Sequence, residues 1–145
     1  MPVIVVGADT EVGEAILDGL HDPPREVRAF VSDESVARRL KDRGFKVALG
    51  DVSDDSHVEA AATRCFSAVL IADATTDQRE RAFASTPDDV KLGWANAVAR
   101  SKVHRVIWVS DEPPPHTNVS EVTTVSPDDP GLVQLVVDLD SAASI

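Results

Sequence analysis

The stretch PVIVVGADTEVGEAILDGL, residues 2–20, sets an apolar run against a turn with glycine at positions 7 and 13, and the turn against a patterned helix. The run from Pro2 to Val6 shows no alternation of polar and apolar residues, which suits a strand covered on both faces. From about Glu11 to His21, Val12, Ile16 and Leu20 recur at the spacing of one helical face, and Pro23-Pro24 stops the pattern. A strand that turns on glycine into a helix aims backbone amides and the positive end of the helix dipole at whatever lies beyond the strand, which suits an anion. The turn is irregular, however: Thr10 stands between the glycines, flanked by Asp9 and Glu11. Glycine is the residue used where backbone must approach a ligand closely, so the Thr10 side chain would crowd a phosphate. At ~5 Å and an effective dielectric near ~20, one carboxylate opposes one phosphate charge by about 3 kcal/mol before solvent screening. The same residues also read as a self-sufficient helix start, with Thr10 as cap and Glu11 and Glu14 complementing the dipole.

Working outward, EVRAFV (26–31), FKVAL (45–49), FSAVLIA (66–72) and VHRVIWV (103–109) are further short apolar runs separated by helical patterns. This repetition predicts a doubly wound α/β fold with five parallel strands and right-handed crossovers. Either Ser32 or Asp33 caps the helix ESVARRLKDRG, and Asp54 with Asp55 starts the one after the third strand. The fourth helix has the clearest start: Thr86 as cap, Pro87 at its first position, Asp88 and Asp89 in its first turn, then Val90, Trp94 and Val98 on one face. Trp94 is expected in the core. DEPPPHTN is too short for a helical crossover, so VSEVTTV (119–125) is expected as a short sixth strand at an antiparallel edge. A closing helix with Asp129 as cap and Pro130 entering would pack Leu132, Val136 and Leu139 back onto the sheet.

A chain of 145 residues without linker, repeat or low-complexity segment is expected to form one domain, 1–145. Nothing is apolar over the ~20 residues that a membrane span needs. The absence of a basic leader before PVIVVG and the single cysteine, Cys65, point to a cytoplasmic protein. A formal net charge of −11 and the lack of a basic cluster argue against nucleic acid as a partner. The four histidines and Cys65 stand in no metal-ligand spacing, so no metal site is expected.

VIVVGADTEVG, REVRAFVSD, GFKVALGDVSDDSHVEAA and SKVHRVIWVS together resemble the nucleotide-binding core of the short-chain dehydrogenase/reductase superfamily, in its atypical, NmrA-like branch. The resemblance covers residues 1 to about 110 and implies a Rossmann-like sheet. It implies a cofactor cradle at Gly7, Ala8, Thr10, Val12 and Gly13, although the family's turn carries glycine where Thr10 stands. Ser32 occupies the place where NADP-preferring relatives have an arginine, and Asp33 lies where a carboxylate meets the ribose of NAD, so NAD(H) is favoured over NADP(H) if either is bound. Asp51 and Val52 match the pair that contacts adenine, and Ala72 opens the segment that passes over the second ribose.

The family's oxidoreductases use a serine after strand five, here Ser110, followed by a tyrosine with a lysine four residues on. This chain has no tyrosine, and its last lysine, Lys102, precedes strand five. The chain also stops where members of this branch continue into a substrate pocket, which leaves an expectation of little substrate-binding surface. ATTDQRERAFAST (73–85) reads either as a small lid with Arg79 and Arg81 as anion contacts or as a solvated amphipathic turn. Three readings follow: a non-catalytic nucleotide-binding module of sensor or regulatory type, a pseudo-enzyme acting as a homodimer or through a protein partner without nucleotide, and an atypical oxidoreductase.

Overall fold

A computed structural model describes all residues, 1–145. Six strands form one sheet: β1 (Val3–Val6), β2 (Val27–Val31), β3 (Lys46–Leu49), β4 (Ser67–Ile71), β5 (Arg105–Val109) and β6 (Glu121–Val125). They stand in the order β3-β2-β1-β4-β5-β6, and every neighbouring pair runs parallel. The helices are α1 (Glu11–Leu20), α2 (Glu34–Asp42), α3 (Asp55–Ala62), α4 (Pro87–Arg100) and α5 (Leu132–Ser141).

The unbroken apolar runs have a direct cause, because successive residues of a strand face opposite sides and both sides are covered. Val3 and Val5 pack with Ile16 and Leu17 of α1, Leu40 of α2 and Val136 of α5. Ile4 and Val6 pack with Val58 of α3 and Trp94 of α4. Trp94 is fully buried, and its indole N–H donates to the Val52 carbonyl at 2.7 Å.

Two expectations need correction. β6 pairs with β5 in parallel, in register Arg105↔Glu121 to Val109↔Val125, not as an antiparallel edge. Proline-rich chain extends about 3.1 Å per residue, roughly twice the rise of a helix, so the short loop through Pro113, Pro114 and Pro115 can return to the start of the sheet without a helix. Thr117 fastens that loop to α4 by donating to the Ala95 carbonyl at 2.6 Å. The last helix begins at Leu132 rather than Pro130, because the Asp129 carboxylate accepts from the Gly131 amide and its carbonyl from the Leu132 amide, forming a separate turn first.

β1 and β4 are neighbours from the middle of the order, with the crossovers leaving in opposite directions on either side. In open sheets of this kind, ligands bind beyond the carboxyl ends of the strands at that switch point.

Candidate functional site

The glycine turn lies at the switch point, and its glycines are explained by packing. Gly7 has φ +89°, and a Cβ there would stand 2.8 Å from the Ala74 Cβ. A Cβ on Gly13 would stand 2.2 Å from the Gly7 carbonyl oxygen. Thr10 bridges the turn: its hydroxyl donates to the Gly7 carbonyl at 2.8 Å and accepts from the Gly13 amide at 2.9 Å. One donor of the helix N-terminus is thus spent on the chain's own oxygen, which leaves the amides of Glu11 and Val12 facing outward. Glu14 is held by an ion pair to Arg39 of α2.

Asp9, whose side chain is 4% exposed, ties the turn to the end of β2. Its carboxylate accepts from the Ser32 amide at 2.8 Å and the Asp33 amide at 3.3 Å. Asp33 turns away to cap α2, accepting from the amides of Ser35 and Val36, and the Ser35 hydroxyl first among these donors holds its carboxyl below the usual range. Asp51 follows β3 and accepts from the Ser53 hydroxyl at 2.6 Å and the Ser53 amide at 2.8 Å.

These residues surround one open cavity of about 710 Å³, lined by Asp9, Ser32, Asp33, Gly50 and Asp51 on the sheet side and by residues 77–80 and Ala82 on the other. The second wall is a strap between η1 (Ala72–Thr75), a short 3-10 turn, and α4. Arg79 reaches in from it to pair with Asp9 at 2.7 Å and Asp77 at 2.7 Å, with one nitrogen 3.5 Å from the Ser32 hydroxyl. The Ala82 amide donates to Asp51 at 2.8 Å, and the Phe83 amide to the Ser53 hydroxyl at 2.9 Å. Burial pushes the Asp51 carboxyl up, but the Ser53 hydroxyl and the Ala82 and Ser53 amides outweigh it and hold the pKa below the ordinary value. Burial would likewise lower the pKa of Arg79, but Asp77 and Asp9 outweigh it and raise it.

Of the residues expected to hold a cofactor, Ser32, Asp33 and Asp51 come together on this cavity. Gly7, Ala8, Gly13 and Val52 are buried behind it, and Thr10 and Val12 are half-buried at the turn. Ala72 lines a second cavity, of about 380 Å³, on the other side of the switch point with Asp73, Asp88, Lys91 and Ser110. The Ser110 hydroxyl is taken up locally, donating to the Glu112 carbonyl at 2.9 Å and accepting from the Glu112 amide at 3.1 Å. Lys91 escaped notice because a lysine in a polar-faced helix carries no signal of burial, yet its side chain is 7% exposed. Cys65 is buried and belongs to no site; burial pushes its thiol up to about 11. No group of three or more potential metal ligands occurs, and no helix is long and apolar enough to cross a membrane.

Comparison with known proteins supplies the remaining finding. The profile of the NAD(P)H-binding family matches residues 7–118. No curated protein matches the chain. Among solved structures, the NADPH-dependent quinone oxidoreductase of Escherichia coli, complexed with NADPH, is 20% identical with a TM-score of 0.62, over 74% of this chain and 36% of that one. The Citrobacter triphenylmethane reductase complexed with NADP(H) is 17% identical with a TM-score of 0.63, over 76% and 37%. A short-chain dehydrogenase/reductase from Veillonella parvula is 13% identical with a TM-score of 0.68, over 99% and 88%. The chain thus spans little more than a third of the two reductases and most of the third protein. At these identities the likeness is one of fold.

Proposed function

The chain belongs to the NAD(P)H-binding family, of the atypical short-chain dehydrogenase/reductase kind, and from that membership we propose that it is a non-catalytic nucleotide-binding module, a sensor or regulatory subunit, that takes NAD(H) mainly by its adenosine half. The observation that carries this reading is the convergence of Ser32, Asp33 and Asp51 on one cavity of about 710 Å³ beside the switch point. Asp51 would accept the exocyclic amine of adenine, Asp33 or Ser32 a ribose hydroxyl, and the amides of Glu11 and Val12 would face the pyrophosphate. The nicotinamide, once bound, supplies hydride chemistry, but this chain has no tyrosine to move the accompanying proton. Ser110 has its hydroxyl engaged in its own turn.

Preference for NAD over NADP follows from charge. Arg79 is the one cation lining the cavity, and it is already paired with Asp9 and Asp77. A 2′-phosphate near Ser32 would meet Asp9 and Asp33 as well, and each such carboxylate opposes it.

The test is calorimetric titration with NAD+, NADH, NADP+, NADPH and AMP, with mass spectrometry for co-purified nucleotide. Saturable binding of NAD+ and AMP is expected, and Asp51→Ala should weaken both about tenfold, the effect of one charge-assisted hydrogen bond. The strap and the Thr10 bridge favour the pseudo-enzyme reading instead, since both occupy donors and acceptors that a nucleotide would use. Silence from every ligand in the wild type, with binding recovered in Thr10→Gly, would establish it. Cofactor-dependent turnover of a quinone or aldehyde would overturn both in favour of an oxidoreductase.

A further inference from the structure

We infer that Lys91 is the binding residue for a second ribose, held in the cavity beyond the carboxyl ends of β4 and β5. The inference rests on the nucleotide-binding reading above. Lys91 stands in the second turn of α4, after the Thr86 cap, Pro87, Asp88 and Asp89. That is a poor place for a cation, since the N-terminal end of a helix is its positive end and the side chain is more than nine-tenths buried. Packing does not call for it, and a methionine would fill the same space at no electrostatic cost. The ammonium makes no hydrogen bond within the protein, and its single ion-pair partner is the Glu112 carboxylate, 3.5 Å away and itself 75% exposed.

The ammonium instead lines the cavity of about 380 Å³, with the carboxylates of Asp73, Asp88, Asp111 and Glu112 around it. The class of ligand follows from that balance. An anion would be attracted by one lysine and repelled by four acids. A simple cation would be repelled by the lysine. A neutral diol satisfies both, because its hydroxyl oxygens accept from the ammonium while its hydroxyl hydrogens are donated to the carboxylates. The adenosine cavity and this one flank the glycine turn from opposite sides of the switch point, so a dinucleotide seated by its adenosine on the first presents its second ribose to the other.

The experiment compares wild type with Lys91→Met by titration with AMP, which has only the first ribose, and with ADP-ribose and NADH, which have both. Lys91→Met removes a buried charge, so its melting temperature should equal or exceed that of the wild type. ADP-ribose and NADH should bind about tenfold more weakly to the variant, and AMP within about twofold of wild type. Lys91→Arg, which keeps the donors, should recover part of the loss. Unchanged affinity for ADP-ribose and NADH in Lys91→Met, or an equal loss for AMP, overturns the assignment while leaving nucleotide binding in place. A wild type that binds none of the three overturns both.

Discussion

Thr10 is where the competition between self-capping and ligand binding is decided. Its hydroxyl bonds the Gly13 amide and the Gly7 carbonyl at distances of 2.9 and 2.8 Å, so the residue does locally what an oxyanion would otherwise do. Exchanging a threonine cap for glycine costs only a few tenths of a kcal/mol, because glycine is itself tolerated at that position. Thr10→Gly should therefore lower the melting temperature by no more than about 2 °C. It should also free the Gly13 amide for a phosphate and strengthen NAD+ binding about tenfold, a gain of one charge-assisted hydrogen bond. AMP should gain less than NAD+. A parallel titration of the two variants decides the matter, and an NAD+ affinity that stays flat or falls in Thr10→Gly would show that the Asp9 and Glu11 carboxylates, not the missing donor, limit the turn.

At the scale of elements, the strap between η1 and α4 is held by carboxylates that must stay ionised. Burial raises the pKa of Asp77 and Asp51, but bonds from Arg79 to the first and from Ser53 and Ala82 to the second outweigh it, and both carboxyls titrate below the ordinary range. A carboxyl depressed in the folded state contributes stability that is complete above its unfolded pKa, near ~3.9, and is lost as the pH falls through the lower folded value. The strap should therefore stay shut from pH 8 to about 5 and release only below about 4. The Ala82 and Phe83 amide resonances report this directly, and a midpoint above about 5 would show that some other group holds the strap. The strap was only half legible in sequence. Arg79 and Arg81 stood out as candidate anion contacts, but the anion that Arg79 meets is Asp9, which no local pattern connects to it. Strands were legible because burial on both faces leaves a continuous apolar run, as in Ala68 to Ile71. The direction of β6 was not, since a proline-rich return replaces the helix that normally announces a parallel crossover. In the site, Ser32, Asp33 and Asp51 were readable from their places after strands. Lys91 was not, because burial of a single charged side chain depends on what the fold brings over it.

For the molecule as a whole, the ligand cavities and the main electrostatic clamp sit at opposite ends of the sheet. Arg105, the first residue of β5, is fully buried, and its guanidinium lies 5.1 Å from the centre of the Phe66 ring. It donates to the carbonyls of Leu139, Asp140 and Ala142 at the end of α5 and to the Glu121 carboxylate of β6, all within 2.8 to 3.2 Å. A cation at the C-terminal end of a helix also complements its dipole. Asp140, buried beside these carbonyls, pairs with Arg25 at 2.5 Å, so the chain before β2 is drawn into the same knot. Arg105→Met would fill the space but leave Glu121 and the helix carbonyls without their donor. Breaking a buried ion pair from one side costs about 3–5 kcal/mol, or roughly 10–20 °C in melting temperature for a domain of this size. Because the clamp lies at the amino ends of the strands and nucleotide is expected at their carboxyl ends, the folded fraction of Arg105→Met should keep its NAD+ affinity within about twofold. Thermal melts and titrations below the new melting temperature separate the two effects. A melting temperature within about 3 °C of wild type would mean that α5 is held by Leu132 and Val136 alone. A lost affinity in protein that is still folded would mean that the sheet transmits the state of one end to the other.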